Sequence, residues 1–526
     1  MIMQRINFKK FNSAGYFCLG ASAVYCLIFI IYSFYWLISP YPNEYREFAN
    51  IDITRMFLEG KNPYDTVNIP PFFYVYGFVV PLLTSWLYSL ISFIHIDMLL
   101  FQRLIALSGT ILCGWISAKE VKNQTNSIVY AFLAFSITLI VGWSMGLCVA
   151  LPNTLGVFVM LLTLYKAKRI KTITDICGVS FLTILSFFIK QYFVIVCVPV
   201  FIWLLFRSKK QALYYVLFSI FCFICAASFI NYLYPAFFSI AIVHHLAIAS
   251  HSLSHLIKQL AVTGLFYFPL LLLFLLVVYN RYKNISGKII ISFNLGKDRN
   301  SPLIKLSEMP DIYAISVCVY FIVILRLGMH EGAYMTYIYQ LFIPVLAIYT
   351  LSGIDILKKD KLKNVVLIGT VLFSLYHIGL FINIPREMND REKSEWESLY
   401  KILDADKTKG VQIYSPLLAK YAWDNQLPVW NNGQTEYIST LQNSSVISHI
   451  FPEANKIALK NRDWQLQLHQ QISTFQIPVI ITDNLSFLTS SFLKQAGYCI
   501  TDSVSLKAGT TPNYTVYRWI PCQVRN

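Results

Sequence analysis

The chain has 526 residues, of which 56% are hydrophobic and 13% are charged. Soluble globular proteins average about 45–50% apolar and about 25% charged residues, so the composition excludes that class and indicates a chain that lies largely in a lipid bilayer. The 43 Lys and Arg residues exceed the 27 Asp and Glu residues, for a formal charge of +16. In a membrane protein this excess is typical of cytoplasmic loops, an explanation we prefer to nucleic-acid binding.

The apolar run from Tyr16 to Ile38 follows three basic residues and resembles a secretory signal. It is too long for one and lacks a small-residue cleavage pattern, so it predicts an uncleaved first span. Later apolar runs are separated by Lys and Arg clusters, which we place on the cytoplasmic side. About eleven spans follow, with the N-terminus inside and the chain after residue 384 outside: residues 16–38, 100–118, 127–146, 151–166, 173–189, 191–206, 211–232, 261–280, 311–327, 334–353 and 364–384.

One apolar stretch, Phe72 to Ile94, lies between an outer loop and a span that must also begin outside. It therefore makes no net crossing, and Pro81 interrupts it. We interpret it as a re-entrant or surface-lying helical pair within a first outer loop of residues 39–99. The alternative, in which this stretch spans the membrane, requires one of the basic loops to be reversed.

After Pro385 the composition changes. Short runs typical of strands, "GVQIYSP", "PVIITDN" and "NYTVYRWI", alternate with a helical stretch around Asn455 to Phe475. The sequence thus predicts a transmembrane domain over residues 1–384 and a small extracytoplasmic α/β domain over residues 385–526.

Nine of the eleven cysteines fall in apolar segments, where a buried thiol behaves as a small hydrophobe. The other two, Cys499 and Cys522, could form a disulfide if the C-terminal domain faces an oxidising compartment.

The first outer loop contains "SPYPNEYREFANIDITRMFLEGKNPYD". We predict a helix from Glu44 to Leu58, followed by stop signals that include Gly60. Glu44 and Glu47 are three residues apart and share one helix face, whereas Asp52 points elsewhere. Two carboxylates at the edge of a low-dielectric cavity suit general-base chemistry or metal binding. A solvated helix face is the alternative.

The run from Glu47 to Tyr64, "EFANIDITRMFLEGKNPY", resembles the first-loop signature of the GT-C superfamily of integral-membrane glycosyltransferases. That superfamily includes protein mannosyltransferases and the aminoarabinose transferase of lipid A. Further passages resemble family segments in the same order: Leu151 to Tyr165, Phe187 to Ile195 and Gly328 to Pro344. The resemblance implies a mainly α, polytopic, GT-C-like fold and a sugar donor carried on a polyprenyl phosphate such as undecaprenyl phosphate.

The resemblance also implies roles for particular residues. Glu47 would be the catalytic acidic residue and Glu44 a second candidate, either of which would accept the proton of the acceptor hydroxyl. Lys190 would bind the donor phosphate, unless its ammonium group only extends to the membrane interface. The alternatives for the phosphate are Arg46, Arg55 and Arg103. The residues expected to line the substrate site are Asp52, Asn153, Gln191, His330, Glu331 and Tyr334.

One departure from the family pattern affects cofactors. Where the family often has Arg-Pro-Asp, this chain has Leu151-Pro152-Asn153. A charge pair is lost, so we expect metal-independent transfer and no cofactor, in preference to a divalent metal.

The function that follows from the resemblance is an inverting-type transfer of a hexosyl or pentosyl group. The expected acceptor is a cell-surface glycan or glycolipid, such as lipopolysaccharide O-antigen, at the outer face of the bacterial inner membrane. A lipid-linked glycan transporter or flippase is one alternative, although the sequence lacks the repeated halves typical of transporters. A polysaccharide polymerase or ligase is another, although the late outer loops contain no arginine.

Overall fold

A computed structural model describes residues 13–41, 46–65, 74, 76–144, 152–243, 252–283, 311–327, 329, 341–357, 360–383, 390–427, 430, 452–483, 488–506 and 514–522. These residues are mainly α-helical, with a four-stranded sheet near the C-terminus. The predicted fold class, a mainly α chain with C-terminal α/β structure, is therefore confirmed.

The helices are, in chain order, α1 (Ser13–Ile38), α2 (Arg46–Leu58), α3 (Val79–Ile91), α4 (Met98–Thr125), α5 (Ile128–Ser144), α6 (Asn153–Ala167), α7 (Ile173–Ile189), α8 (Cys197–Arg207), α9 (Lys209–Leu233), α10 (Leu253–Lys283), α11 (Ile312–Leu327), α12 (Ile343–Ser352), α13 (Asp360–Asn383), α14 (Asp390–Asp406), α15 (Ala419–Asp424), α16 (Pro452–Ser473) and α17 (Ser490–Gln495). A 3₁₀ helix, Gln191–Val196, leads directly into α8. Each of the eleven predicted spans overlaps a helix of this set, although residues 334–340 lie outside the described part of the chain. The number and direction of membrane crossings stay predictions.

The bundle presents apolar side chains on its outside. Helices α1, α4 and α9 are long and apolar enough to cross a membrane, judged by length and composition. Exposed residues include Phe34 on α1 and Phe221 and Phe229 on α9. Water-soluble monomers rarely expose large contiguous apolar surfaces, so this is the surface of a membrane protein.

Helix α4 is central to the bundle and packs against α5, α6 and α12. Asp97 begins it as a capping residue, because its carboxylate accepts a hydrogen bond from the Leu100 amide. A capping box of Thr172 and Asp175 begins α7 in the same way. These local signals fix where the two helices start.

Near the end of α4, a buried ionic cluster joins three helices. Glu120 lies 2.6 Å from Arg169 and 3.1 Å from Lys168, and Lys168 lies 2.7 Å from Asp311. The sequence predicts that these basic residues lie in a cytoplasmic loop. In the structure Lys168 and Arg169 also neutralise buried carboxylates, as buried charges require.

The described part of the first loop includes helices α2 and α3, which pack on each other. The predicted helix up to Leu58 is confirmed from Arg46 onward, and Gly60 follows it with a φ of 69°. The predicted break at Pro81 is wrong, because this proline lies in the first turn of α3. In that turn the missing N–H group costs nothing.

The sheet contains β1 (Val411–Ile413), β2 (Val479–Asp483), β3 (Tyr498–Leu506) and β4 (Tyr514–Pro521) in the order β1-β2-β4-β3. Strands β1 and β2 are parallel, and β4 is antiparallel to both β2 and β3. A disulfide joins Cys499 to Cys522. The disulfide links the start of β3 to the residue that follows β4.

The sheet region packs on the first loop and does not stand apart from the bundle. One hydrophobic core combines Ile51, Met98 and Leu99 with residues of α14, α15 and the sheet. Tyr41 stacks on Trp396, with ring centroids 5.4 Å apart. The sheet region therefore lies at the end of the bundle where α4 begins. The division of the chain at residue 384 stays a prediction.

Candidate functional site

Lys190 lies where α7 ends and the following 3₁₀ helix begins. Its backbone is extended, with a φ of −161° and a ψ of 126°, and its amide still donates to the Ser186 carbonyl. The side chain is 6% exposed. This break in helical geometry turns a long cationic side chain into the bundle.

The Lys190 ammonium is held by one amide and two aromatic rings. Its Nζ donates a hydrogen bond of 2.8 Å to Asn153 Oδ1, at the first residue of α6. It also lies 4.2 Å from the ring centroid of Tyr76 and 5.2 Å from that of Tyr192. Aromatic faces and an amide oxygen stabilise a desolvated cation, so the site can keep a positive charge at low exposure.

Tyr76 reaches Lys190 because the first loop approaches the end of α7 very closely. A Cβ atom at Gly77 would lie 1.8 Å from the Phe188 carbonyl oxygen. Nearby, the Tyr74 hydroxyl donates a 2.6 Å hydrogen bond to Asn50 Oδ1 on α2. Within the first loop, Tyr74 is thereby bonded to α2, and Gly77 lies against the end of α7.

A small cavity of about 10 Å³, lined by both polar and apolar side chains, lies between α2, α3, α4 and α6. Gln102 Nε2 donates to Thr54 Oγ1 at 2.9 Å. Gln102 Oε1 and Thr154 Oγ1 are buried with no hydrogen-bond partner within the described residues. Two such atoms beside a cavity of this size fit one ordered water molecule.

Glu47 and Arg103, which the sequence proposed for different roles, form one buried ion pair. Glu47 Oε2 lies 2.9 Å from Arg103 Nη2, and Glu47 Oε1 accepts from Arg103 Nε at 3.1 Å. Glu47 is fully buried and Arg103 is 1% exposed. In this arrangement the Glu47 carboxylate faces a guanidinium group.

Asp52 is buried on another face of α2. No donor in the described part of the chain reaches its Oδ2 atom. Burial raises the pKa of Asp52 from 3.8 to about 7, an effect that Arg55 and Lys61 oppose and Glu59 adds to. This carboxyl group is therefore easier to bury when it is protonated.

Asp52→Asn should change how stability depends on pH. An acid with a raised folded-state pKa stabilises the fold while protonated, and that stability is lost as pH rises from about 4 to about 7. We expect the wild-type protein to lose up to about 4 kcal/mol over this range, whereas the variant should not. Thermal unfolding in detergent at pH 5 and pH 8 measures the difference. If the stability of the wild type and of the variant changed equally with pH, the raised pKa of Asp52 would be contradicted.

The other predicted site residues fall into two groups. Arg55 contacts Glu59 at 2.6 Å, the Leu427 carbonyl at 3.2 Å and the ring of Trp423, so it joins α2 to the sheet region. Gln191 is half-buried beside Lys190. The second group is not described: it contains Glu44, His330, Glu331 and Tyr334, together with the side chain of Arg46.

Sequence reasoning missed the two tyrosines that surround Lys190. Tyr192 could have been found, since it follows Lys190 by two residues in the predicted "FFIKQYFVI" segment. Tyr76 lies in the stretch interpreted as non-crossing, and nothing local in that stretch points to α7.

An apolar groove with a volume of about 540 Å³ lies between α2 and α3. It is lined by Phe57, Leu58, Phe78, Val79, Leu82, Leu83, Ser85, Trp86 and Ser89. Trp86 is 66% exposed, and Phe93 just beyond α3 is 75% exposed. The groove is thus an open, mainly apolar surface on the first loop.

Among the described residues, no three His, Cys, Asp or Glu side chains come together in a way that could hold a metal ion.

No protein-family model matches the sequence, and no curated protein matches it. Among solved structures, the chain is similar to the crystal structure of ArnT from Cupriavidus metallidurans bound to undecaprenyl phosphate, at 12% sequence identity and a TM-score of 0.46. The alignment covers 96% of this chain and 98% of that one.

Proposed function

We propose that this chain is a membrane glycosyltransferase that moves a sugar from a polyprenyl-phosphate donor to a cell-surface glycan or glycolipid. The observation that carries the proposal is the buried ammonium of Lys190, held by Asn153, Tyr76 and Tyr192 where the first loop meets α7. When the glycosidic bond breaks, negative charge grows on the departing phosphate. A preorganised cation stabilises that charge more strongly than water does.

The groove between α2 and α3 suits the hydrocarbon chain of the donor. Its lining is almost entirely apolar, and it opens beside exposed aromatic residues such as Trp86. An isoprenoid chain that entered from lipid would bury its methyl groups there without losing hydrogen bonds.

We place the reaction at the outer face of the bacterial inner membrane, with the N-terminus cytoplasmic and the C-terminal domain periplasmic. Two observations support this orientation. The Cys499–Cys522 disulfide requires an oxidising compartment to persist. The basic cluster at Lys168 and Arg169 lies near the end of α4, about 26 Å along that helix from Arg103, as the positive-inside rule expects for a cytoplasmic end.

We assign the acid–base role to a first-loop carboxylate, and to Glu44 ahead of Glu47. Both carboxylate oxygens of Glu47 already accept hydrogen bonds from Arg103 in a bidentate ion pair. Glu44 lies three residues earlier in the chain and is the remaining predicted candidate. The transfer is of the inverting type, needs no metal, and O-antigen of lipopolysaccharide is the proposed acceptor.

Reconstitution in vesicles with labelled undecaprenyl-phosphate sugars and lipopolysaccharide precursors tests the proposal. We expect transfer by the wild type and a loss of about 10²–10⁴-fold for Glu44→Gln, the range for removal of a general base. Glu59→Gln is the matched control, because Glu59 pairs with Arg55 and Lys61 at the surface. Full transfer by Glu44→Gln would remove the acid–base assignment. Unchanged surface glycan in a deletion strain would remove the enzyme class.

A further inference from the structure

A short helix of the sheet region, α15, is bonded to the first loop at two places. In the first, the Arg55 guanidinium of α2 donates to the Leu427 carbonyl at 3.2 Å, just after α15 ends. Arg55 also lies over the Trp423 ring of α15, 5.5 Å from its centroid, and α15 packs directly against α2. Residues 419–427, which we call the α15 bridge, therefore hold the second half of α2.

At the second place, Lys420 joins α15 to the start of α4. Its Nζ lies 2.8 Å from Asp97 and 2.7 Å from Asp424, and its side chain is 13% exposed. Asp97 also caps α4, because its Oδ1 accepts a hydrogen bond from the Leu100 amide at 3.0 Å while its Oδ2 faces Lys420. One carboxylate thus both begins α4 and binds the α15 bridge.

The start of α4 is also the place where α3 is held. The Tyr88 hydroxyl of α3 donates to the Ile96 carbonyl at 2.9 Å, directly before Asp97. Tyr88 and Leu58 of α2 both pack on the hydrophobic core that α15 shares with the first loop. The α15 bridge therefore contacts α2 directly and is connected to α3 through the start of α4.

These two helices are the walls of the apolar groove. Leu58 lines the groove and lies about one turn beyond Arg55 on α2. Trp86 and Ser89 line it from α3, on either side of Tyr88 in sequence. Because the α15 bridge is connected to both walls, its position limits how far apart they can lie. Contact with an apolar chain is lost as soon as a gap opens between the surfaces.

We propose that the α15 bridge sets the width of the groove between α2 and α3 and thereby determines which lipid chains the protein accepts. Arg55 and Lys420 are positioning residues, since they bind protein groups and act on the lipid through the walls of the groove. Arg55 thus acts on the chain of the donor and not on its phosphate. The inference rests on the proposed function for the identity of the lipid, a polyprenyl phosphate, and gives the sheet region a part in substrate selection.

The test compares two lipids that share a headgroup, undecaprenyl phosphate and the much shorter farnesyl phosphate, bound to the full-length protein in detergent. Asp97→Asn removes the ion pair with Lys420 and leaves α4 capped, because asparagine caps a helix as well as aspartate does. We expect Asp97→Asn and Lys420→Met to weaken binding of undecaprenyl phosphate by about tenfold, which corresponds to exposure of about two methylene groups. Binding of farnesyl phosphate should weaken by less than about threefold, because a short chain leaves most of the groove unused. Lys420→Arg keeps the charge between the two carboxylates and should bind both lipids as the wild type does.

Lys456→Met is the matched control. It removes an exposed ion pair of the same region, with Glu453 at 2.7 Å within α16, and should leave the binding of both lipids unchanged. Equal weakening of the two lipids in Asp97→Asn would show that the α15 bridge acts on the headgroup site or on the whole fold, and the proposal would be wrong. Unchanged binding of both lipids in Asp97→Asn and Lys420→Met would overturn it as well.

Hydrogen exchange is a readout that needs no lipid. Loss of the α15 bridge should speed exchange of the α2 and α3 amides by about tenfold or more in Asp97→Asn and Lys420→Met, with α5 amides unchanged. Wild-type exchange of α2 and α3 in these variants would overturn the proposal. A wild type that binds undecaprenyl phosphate but transfers no sugar would overturn the proposed function and leave the role of the α15 bridge standing.

Discussion

Lys190→Met should abolish sugar transfer, with a fall in kcat/KM of about 10³-fold or more. The buried ammonium lies 2.8 Å from Asn153 Oδ1 and faces the rings of Tyr76 and Tyr192, which are half-buried. At such low exposure, a charge that meets the departing phosphate contributes several kcal/mol to the transition state. Methionine preserves the length and most of the packing of the side chain, so the loss reports the charge.

Two measurements separate this role from a structural one. Binding of undecaprenyl phosphate without a sugar should weaken by about tenfold or more in Lys190→Met, while the melting temperature changes little. Lys166→Met is the matched control, because Lys166 is exposed near the end of α6 opposite Asn153. Wild-type affinity and turnover in Lys190→Met would show that the ammonium only extends to the interface.

Much of the helical architecture could be predicted from the sequence, because bilayer-spanning helices must be long, apolar and internally hydrogen-bonded. Hydropathy placed α7 at its observed bounds and α6 and α9 to within two residues. Strand β3 was missed because Thr, Asp and Ser interrupt the apolar residues of its sequence, "YCITDSVSL", without a regular alternation. Among the described strands it lies at the edge of the sheet and pairs with β4 alone, and an edge strand can keep that composition.

The candidate site was only partly predictable. Lys190 and Asn153 stand out in sequence as polar residues in apolar runs, and they are bonded to each other across 37 positions. The pairing of Glu47 with Arg103 spans 56 positions, and no local pattern indicates it. Pairings of this kind depend on how α2 and α4 pack, which side-chain periodicity alone does not determine.

Gly77→Ala should disconnect the first loop from α7. Gly77 does not adopt a positive φ, so the requirement is space and not backbone conformation. An added Cβ would lie 1.8 Å from the Phe188 carbonyl oxygen and 2.6 Å from that of Ile189. Both obstacles are backbone atoms that cannot rotate away. The loop must move, and Tyr76, the residue before Gly77, moves with it away from Lys190.

We expect Gly77→Ala to lower transfer by about 100-fold and stability by about 3 kcal/mol, the upper part of the range for overpacking. Gly178→Ala is the matched control, because Gly178 lies within α7 and a Cβ there meets nothing within 4 Å. That variant should be active, and more stable by about 0.5–1 kcal/mol because alanine favours a helix. Thermal unfolding and vesicle transfer should be measured for both variants. Equal stability and equal transfer would show that the contact at Phe188 does not hold the loop. Opposite behaviour would show that the first loop must touch α7 for Lys190 to work.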